Sequence, residues 1–225
     1  MKISVIIPAF REAAVITESV RAAVAIGDEV IVADANSPDG TAELAARAGG
    51  RVVQAERGRG AQLHAGATAA QGDVLLFLHA DARLGRGARE ALLSALRDPD
   101  AVGGNFRIAF VPARGAARLF TMLYDLRRRL TGIYYGDSAI FVRRETYQRL
   151  GGFSPMPLME DYQFVRRLRR AAGRTVYLRG ITVEASARRF AGAPIRTFLL
   201  WGAIHVLYAL GVPVSTLARC YADLR

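Results

Sequence analysis

Two acidic residues and a histidine directly follow short apolar runs, a position from which side chains at strand ends can act on a bound molecule. Asp34 follows the run EVIVA, and His79 and Asp81 follow the run VLLFL. An imidazole and a carboxylate separated by one small residue could belong to a metal site, a catalytic base or an ordinary polar loop. The residue types alone leave these three alternatives open.

Further acids lie elsewhere in the chain. Glu12 is on the loop after the first apolar run, and Glu160 and Asp161 open a predicted helix much later. Divalent cations such as Mg²⁺ bind carboxylate oxygens together with substrate phosphates, and they neutralise the charge that develops on a diphosphate leaving group. Glu160 and Asp161 could fold back over such a site and supply a general base.

The order of the apolar runs explains how these side chains could meet. Runs of strand type alternate with segments of helical spacing, and they cover 3–7, 29–33, 51–54 and 74–78. This alternation is typical of α/β proteins with a parallel sheet and helices on both faces, in which ligands bind at the carboxyl ends of the strands. Pro8, Asp34 and Asp81 all fall just after strand ends, so the sequence predicts one shared crevice.

The C-terminal segment differs from the rest of the chain. No clear linker interrupts 1–193, which we predict to be one domain, whereas 197–218 carry no Asp, Glu, Lys or Arg. That length would suffice for a membrane span, but Gly211 and Pro213 should break the helix. We therefore predict a helical appendage over 194–225 that packs on the domain, forms a homodimer interface or lies on a membrane.

The composition favours anionic partners. The 225 residues include 31 Lys and Arg against 20 Asp and Glu, a formal net charge of +11. Such a balance favours nucleotides, phosphates or an acidic membrane surface, and no nucleic-acid-binding motif accompanies it. One cysteine, Cys220, precludes an internal disulfide, and the N-terminus lacks a signal-peptide layout, so we expect a cytoplasmic protein that could lie at the inner face of the membrane.

Several other kinds of site are disfavoured. The chain has no G-x-S-x-G elbow and no G-x-x-x-x-G-K-[ST] phosphate loop. One Cys and three dispersed His residues lack the spacing of zinc ligands.

Over about residues 3–190 the motifs resemble the family 2 glycosyltransferases. The matching segments are SVIIPAFRE, EVIVADANSPDGT, RGRGAQLHAGATAAQGDVLLFLHADARL, GDSAIFVRRETYQRLGGF, MEDYQFVRRLRR and SARRF. FLHAD together with GRGAQLHAGA is similar to the arsenosugar-biosynthesis-type subgroup. The resemblance implies the GT-A (nucleotide-diphospho-sugar transferase) fold, with a mainly parallel sheet, and an inverting transfer of a sugar to an acceptor hydroxyl that depends on Mg²⁺ or Mn²⁺.

The resemblance also implies roles for individual residues. Asp34 would accept a hydrogen bond from the nucleotide base or ribose, Asp81 would bind the metal directly or through water, and Asp161, next to Glu160, would deprotonate the acceptor hydroxyl. The remaining candidates for binding the nucleotide-sugar are Pro8, Ala9, Glu12, Arg59, Gln62, His79, Arg188 and Arg189. The last two suit the diphosphate because a planar guanidinium pairs well with phosphate.

The chain departs from the family pattern at two positions. Arg11 stands where relatives usually have Asn, and His79 replaces the first acid of the D-x-D motif. His79 could contact the ribose, support a ligand from behind or bond only to the backbone. A neutral His binds Mn²⁺ better than Mg²⁺.

Three other functions stay open. A nucleotidyltransferase would carry a Gly-rich loop directly after the first strand, but the loop PAFREAA has no Gly. A non-catalytic sugar- or nucleotide-binding protein would tolerate loss of Asp81 or Asp161, and both are present. An enzyme recruited to a membrane to act on a lipid-linked acceptor would explain the basic charge and the apolar tail.

Overall fold

A computed structural model describes residues 1–171, 173–186 and 194–223 of the chain. Its strands are β1 (Ile3–Ala9), β2 (Glu29–Asp34), β3 (Arg51–Gln54), β4 (Val74–Phe77), β5 (Arg83–Leu84), β6 (Ala101–Val111), β7 (Ile140–Arg143) and β8 (Arg174–Ser186). Its helices are α1 (Ile16–Val24), α2 (Thr41–Arg47), α3 (Arg59–Ala69), α4 (Ala88–Ala95), α5 (Ala116–Thr131), α6 (Arg144–Arg149), α7 (Glu160–Arg170), α8 (Pro194–Ala209) and α9 (Val214–Asp223). A short 3₁₀ helix covers Gly136–Ser138.

The strands form one mixed sheet in the order β3-β2-β1-β4-β7-β6-β8-β5. The first four strands are parallel, which confirms the sequence prediction for this half. Their carboxyl ends share one edge, where Ala9 pairs with Asp34. Strand β7 runs antiparallel to β4, with Ile140 opposite Phe77. The segment that precedes β7 therefore reaches the same edge.

Each face of the sheet is covered by its own core. Val5 and Ile7 of β1 pack on one face with Val20 of α1, whereas Ile6 points to the opposite face and packs in the core that includes Phe164 of α7. A strand buried on both faces has apolar residues at successive positions, which explains the uninterrupted run at the start of the chain.

The C-terminal helices pack on the domain. Gly211 has a φ of 85° between α8 and α9, so the predicted helix break is confirmed. The ring of Trp201 lies 6.4 Å from that of Phe120 and 6.1 Å from that of Tyr124, and Ile204 is buried. Among the described residues, no helix combines the length and the apolar character needed to cross a membrane. The boundary between 193 and 194 as a domain limit stays a prediction.

Gly103 and Gly104 allow the close approach of β6 to its neighbours. A Cβ at Gly104 would overlap the carbonyl oxygen of Val176 and lie 2.8 Å from the Phe141 ring. We expect Gly104→Ala to lower the free energy of unfolding by about 3 kcal/mol because backbone must shift to relieve the overlap. Urea unfolding of the purified protein measures the effect.

Gly202 provides the matched control, because a Cβ there meets nothing within 4 Å. Gly202→Ala lies in a helix and should be neutral or stabilising by up to about 1 kcal/mol. Equal effects at the two positions would contradict the packing explanation.

Candidate functional site

A pocket lies beyond the carboxyl end of β4. His79, Asp81 and Asp137 contribute its polar groups, and Trp201 of α8 contributes an aromatic wall. Asp81 lines this pocket but Pro8 and Asp34 do not, so the single crevice shared by the three residues stays a prediction. Asp137 was not among the residues predicted from sequence. The signal for it was the pairing of β7 with β4, which brings the residues preceding β7 next to those following β4.

Gly136 joins this pocket to the acidic pair. The Gly136 N–H donates to Asp161 Oδ2 at 2.8 Å. A Cβ at this position would lie 3.0 Å from His79 Nε2 and 3.4 Å from Asp161 Oδ2. The end of β4, the entry to β7 and the start of α7 therefore meet at one glycine. This arrangement confirms that the acidic pair folds back toward the strand ends, although over a hundred residues separate it from β1.

Arg59 links α3 to the two acids. Its Nε forms a short hydrogen-bonded ion pair with Glu160 Oε1, and its Nη2 lies 3.7 Å from Asp161 Oδ2. Gly60 makes this approach possible, because a Cβ there would overlap the carbonyl oxygen of Ser154 and lie 3.2 Å from the Glu160 Cβ. Arg59, predicted to contact the donor, is thus engaged with the acids, and a third of its side-chain surface is exposed.

The two acids have different surroundings. Glu160 is 1% exposed, and burial raises its pKa above the ordinary value of 4.5, although the charge of Arg59 opposes the rise. Burial acts to lower the pKa of Arg59, but the negative charges of Glu160 and Asp161 outweigh it and the net change is upward. Asp161 accepts backbone N–H bonds from Gly136 and from Tyr162, at 2.8 and 2.7 Å. These bonds fix the orientation of its carboxylate.

Asp34 is buried at the end of β2 and holds the following turn. Its two oxygens accept from the Ser37 hydroxyl at 2.6 Å and from the Ser37 N–H at 2.8 Å. A carboxylate has about four acceptor sites, so these bonds leave capacity for another donor. The contact of Asp34 with a nucleotide stays a prediction.

Gln62 is also engaged within the protein. Its Nε2 donates to the carbonyl oxygens of Ala9 at 2.7 Å and Ala33 at 3.1 Å, where β1 and β2 end. Both amide hydrogens are used, so a contact with the nucleotide-sugar would need its oxygen and stays a prediction. Pro8 pairs with Ala33 at the same edge.

The remaining predicted residues are placed as follows. The Glu12 N–H donates to Thr41 Oγ1 at 2.9 Å, which fixes the loop after β1 to the start of α2. Arg188 and Arg189 lie outside the described residues.

An aromatic cluster from the C-terminal half borders the acids. Tyr135 stacks on Tyr162, with ring centroids 6.2 Å apart and an interplanar angle of 19°. The Tyr135 hydroxyl forms a short hydrogen bond with His205 Nε2, and Arg127 Cζ lies 4.0 Å from the Tyr135 ring centroid. His205 is one of the three dispersed histidines that lack the spacing of zinc ligands, and here it packs against the aromatic cluster.

Metal ligands in this part of the molecule are few. Within residues 1–171, 173–186 and 194–223, no three His, Cys, Asp or Glu side chains cluster as a complete metal site. Mg²⁺ and Mn²⁺ in phosphate-binding sites take one or two carboxylates and complete their coordination with phosphate oxygens and water. Asp81 and Asp137 on one pocket fit that kind of binding.

The chain matches a model of a known protein family and several curated proteins. The family model described as glycosyl transferase family 2 matches residues 4–151. Uncharacterized glycosyltransferases of Mycobacterium bovis and Mycobacterium tuberculosis are 33% identical over 130 residues. That match covers 56% of the chain and 59% of those relatives, so the chain spans under two thirds of their length.

Solved structures show the same fold at low identity. TarS of S. aureus with UDP-GlcNAc aligns over 84% of the chain and 59% of its own, at 21% identity and a TM-score of 0.69. A mannosyltransferase of Pyrobaculum calidifontis with GDP-Man and Mn²⁺ aligns over 99% and 69%, at 20% identity and a TM-score of 0.65. Glucosyl-3-phosphoglycerate synthase of Mycobacterium tuberculosis, with Mn²⁺, UDP-glucose and phosphoglyceric acid, aligns over 94% and 80%, at 21% identity and a TM-score of 0.64. The predicted GT-A fold is confirmed.

The buried Glu160 should make stability depend on pH. Because its pKa is raised, the folded chain holds a proton that the unfolded chain has lost at pH values just above 4.5. Stability should therefore fall as pH rises through the window that begins at 4.5. Urea unfolding between pH 4.5 and 7.5 measures the slope, which Glu160→Gln should flatten.

Glu56→Gln serves as the control for that experiment, because Glu56 is exposed. This variant should keep the slope of the parent protein. If the parent and Glu160→Gln gave parallel curves, Glu160 would not take up a proton in this window.

Proposed function

Because the chain belongs to glycosyltransferase family 2, we propose that it transfers a sugar from a nucleotide-diphospho-sugar to an acceptor hydroxyl with inversion at the anomeric carbon. The observation that carries the proposal is the position of Gly136 between His79 and Asp161. It sets a candidate base next to the pocket that contains Asp81. Solved relatives with UDP-GlcNAc, GDP-Man and UDP-glucose support a nucleotide-sugar as the donor.

The donor would bind where β1, β2 and β4 end. Asp34, with Pro8, Ala9 and Glu12, would face the nucleoside, and Asp81 would hold Mg²⁺ or Mn²⁺, with Asp137 on the same pocket. The metal, when bound, would neutralise charge on the diphosphate. His79 beside Asp81 favours Mn²⁺ over Mg²⁺, since imidazole is a better ligand for the softer ion. Two relatives with Mn²⁺ support a divalent metal.

Asp161 is the proposed general base. It would take the proton of the acceptor hydroxyl while the hydroxyl oxygen forms its bond to the anomeric carbon. The bond from that carbon to the diphosphate oxygen breaks in the same step, and the nucleoside diphosphate leaves with the electron pair. Attack in line with the leaving group inverts the configuration.

Glu160 suits a different task from Asp161. It is buried and bound to Arg59, so it would orient Arg59 beside Asp161. We propose that Arg59 in turn keeps the Asp161 carboxylate aimed at the acceptor.

Two finer assignments rest on sequence motifs. FLHAD and GRGAQLHAGA support placement in the arsenosugar-biosynthesis-type subgroup. The loop PAFREAA after β1 has no Gly, which argues against the nucleotidyltransferase alternative.

Loss of the base should remove turnover but keep donor binding. We expect Asp161→Asn to lower the rate about 10²–10⁴-fold, the usual contribution of a general base. Turnover is measured with a panel of UDP-, GDP- and dTDP-sugars in Mg²⁺ or Mn²⁺, and donor binding by thermal shift. Asp81→Ala should instead lose the metal-dependent stabilisation by nucleotide.

Asp73→Asn is the matched control for these two variants. Asp73 is exposed and directly precedes β4, at the end of the strand opposite to Asp81, so turnover should stay near that of the parent. Full metal-dependent turnover of Asp81→Ala would refute the metal assignment. Unchanged turnover of Asp161→Asn would move the base elsewhere.

An apolar surface on two helices supports recruitment to a membrane. On α5, exposed apolar side chains recur three to four residues apart, at Leu119, Met122, Leu126 and Leu130. On α8 and the residue that directly follows it they lie on one side, at Ile195, Leu199, Val206 and Leu210. We call these eight residues the apolar stripes.

Exposed Arg118 and Arg196 lie beside the stripes, and the chain has a net charge of +11. An apolar helix face flanked by basic residues suits an anionic bilayer surface. We propose that the enzyme lies at the cytoplasmic face of a membrane and acts there on a lipid-linked acceptor.

Acidic substitutions in the stripes should release the protein from anionic vesicles. We expect the double variant Leu199→Glu, Leu210→Glu to bind vesicles of phosphatidylglycerol and phosphatidylcholine at least about tenfold more weakly, because two leucines no longer enter the bilayer. Co-sedimentation at physiological salt measures binding.

Val24→Glu is the control, since Val24 is 51% exposed on α1, away from the stripes. It should bind vesicles as the parent does. The alternative is that the stripes are a homodimer interface. In that case the parent would not bind vesicles, and in size-exclusion chromatography the parent would run as a dimer and the double variant as a monomer.

A further inference from the structure

Arg127 on α5 lies against two aromatic rings, and one of its nitrogen atoms has no acceptor among the described residues. Its Cζ lies 4.0 Å from the Tyr135 ring centroid and 4.6 Å from that of Tyr124. Its Nε is buried, and within the described residues no acceptor bonds to it. The two ring faces hold the cation in place, but they do not accept the directed hydrogen bonds that an Arg fork can donate.

Arg128, the next residue, is incompletely paired in the same way. Its Nε donates to Asn105 Oδ1 at 2.7 Å and its Nη1 to the Gly132 carbonyl oxygen at 3.3 Å. Its Nη2 is buried and has no acceptor among the residues described. Burial lowers the pKa of Arg128, and the positive charge of Arg169 adds to that shift.

Asp125, the acid on the same helix, is already engaged. Asp125 accepts from the Tyr177 hydroxyl at 2.6 Å and lies about 4 Å from both Arg129 and Arg179. Neither Arg127 nor Arg128 forms a salt bridge in the described part of the chain, whereas Arg59, Arg83, Arg89 and Arg174 each do. Buried cationic donors without an acceptor are costly, and a bound anion would remove that cost.

Both arginines line a pocket that is separate from the one around Asp81. Neighbouring residues of the loop before β7 line different pockets. Tyr135 and Ser138 face the arginine pocket, whereas Asp137 faces the Asp81 pocket. Gly136 between them bonds to Asp161. Gly136, which bonds to the proposed base, therefore lies between a residue of the arginine pocket and a residue of the Asp81 pocket.

We propose that Arg127 and Arg128 bind a phosphate or carboxylate group of the acceptor. The inference rests on the proposed function, because Asp161 and Asp81 define which side belongs to the acceptor and which to the donor. Phosphate and carboxylate oxygens accept bidentate bonds from guanidinium groups. An acceptor anchored here would present its hydroxyl to Asp161 across Gly136.

Trp201 provides a direct readout, since it is the single tryptophan of the chain and lies 6.1 Å from the Tyr124 ring. We expect inorganic phosphate to change its fluorescence in a saturable way. Arg127→Gln should weaken this binding at least about tenfold, because a charge-assisted hydrogen bond is lost. Arg129→Gln removes the same charge from an exposed position on the same helix and should leave binding unchanged.

A parallel titration with UDP and Mn²⁺ separates the two proposals. Arg127→Gln should bind UDP as the parent does. If UDP failed to bind the parent protein, the donor assignment would fail while phosphate binding still tested the arginine pocket. If phosphate gave no saturable change up to tens of millimolar, or if Arg127→Gln and Arg129→Gln weakened it equally, the pocket would hold water only and the inference would be overturned.

Vesicles distinguish the source of the anion. A lipid headgroup predicts that Arg127→Gln lowers binding to phosphatidic acid vesicles more than Arg129→Gln does, with no such difference on phosphatidylcholine. Equal lowering by the two variants, together with tight inorganic phosphate binding, indicates a water-soluble anionic acceptor. Should Arg127→Gln fail to fold, Arg127→Lys gives the same comparison because it loses the planar fork but keeps the charge.

Discussion

The arrangement of the site depends on the space that Gly136 leaves between His79 and Asp161. A side chain at position 136 would crowd both residues, since a Cβ would lie 3.0 Å from His79 Nε2 and 3.4 Å from Asp161 Oδ2. Its N–H also bonds to the Asp161 carboxylate. The antiparallel pairing of β7 with β4 carries the glycine to this point, so sheet topology and site geometry are consequences of the same register. Movement of this loop would alter the donor pocket and the base together.

The ion pair of Arg59 with Glu160 is the second constraint. Removing a carboxylate from water is costly, and the gain from pairing rarely exceeds that cost, so such a pair is weak support for stability. The pair contributes geometry instead. Glu160 holds Arg59 in a position where Arg59 Nη2 also lies 3.7 Å from Asp161 Oδ2. The helix N-terminus provides additional support for the acids, because the positive end of α7 favours negative charge in its first turn. The pair thus links α3 to α7 across the crevice.

Local sequence carried much of the fold. Short runs of strand type identified β1 to β4 within two residues, and the alternation with helices indicated parallel pairing. Asp81 could be placed because a strand end is a local feature. Asp137 could not, because its position depends on the antiparallel entry of β7. The donors of Gln62 bond to two carbonyl oxygens of neighbouring strands, a tertiary arrangement that the Gly-rich segment does not encode. The sequence likewise could not predict that Arg127 Nε and Arg128 Nη2 have no acceptor among the described residues. In the sequence, these arginines look like part of any solvated helix face.

The C-terminal helices complete the site although the family model ends at residue 151. Trp201 lines the Asp81 pocket, and His205 bonds to Tyr135 beside Gly136. The Trp201 carbonyl oxygen can only accept, so His205 Nδ1, 2.7 Å away, must carry the proton. Burial lowers the pKa of His205, so Nε2 of the neutral ring accepts from the Tyr135 hydroxyl. This tautomer of His205 therefore holds α8 against the loop in which Gly136 bonds to Asp161. Residues beyond the segment matched by the family model thus form part of the surroundings of Gly136 and its contact with Asp161.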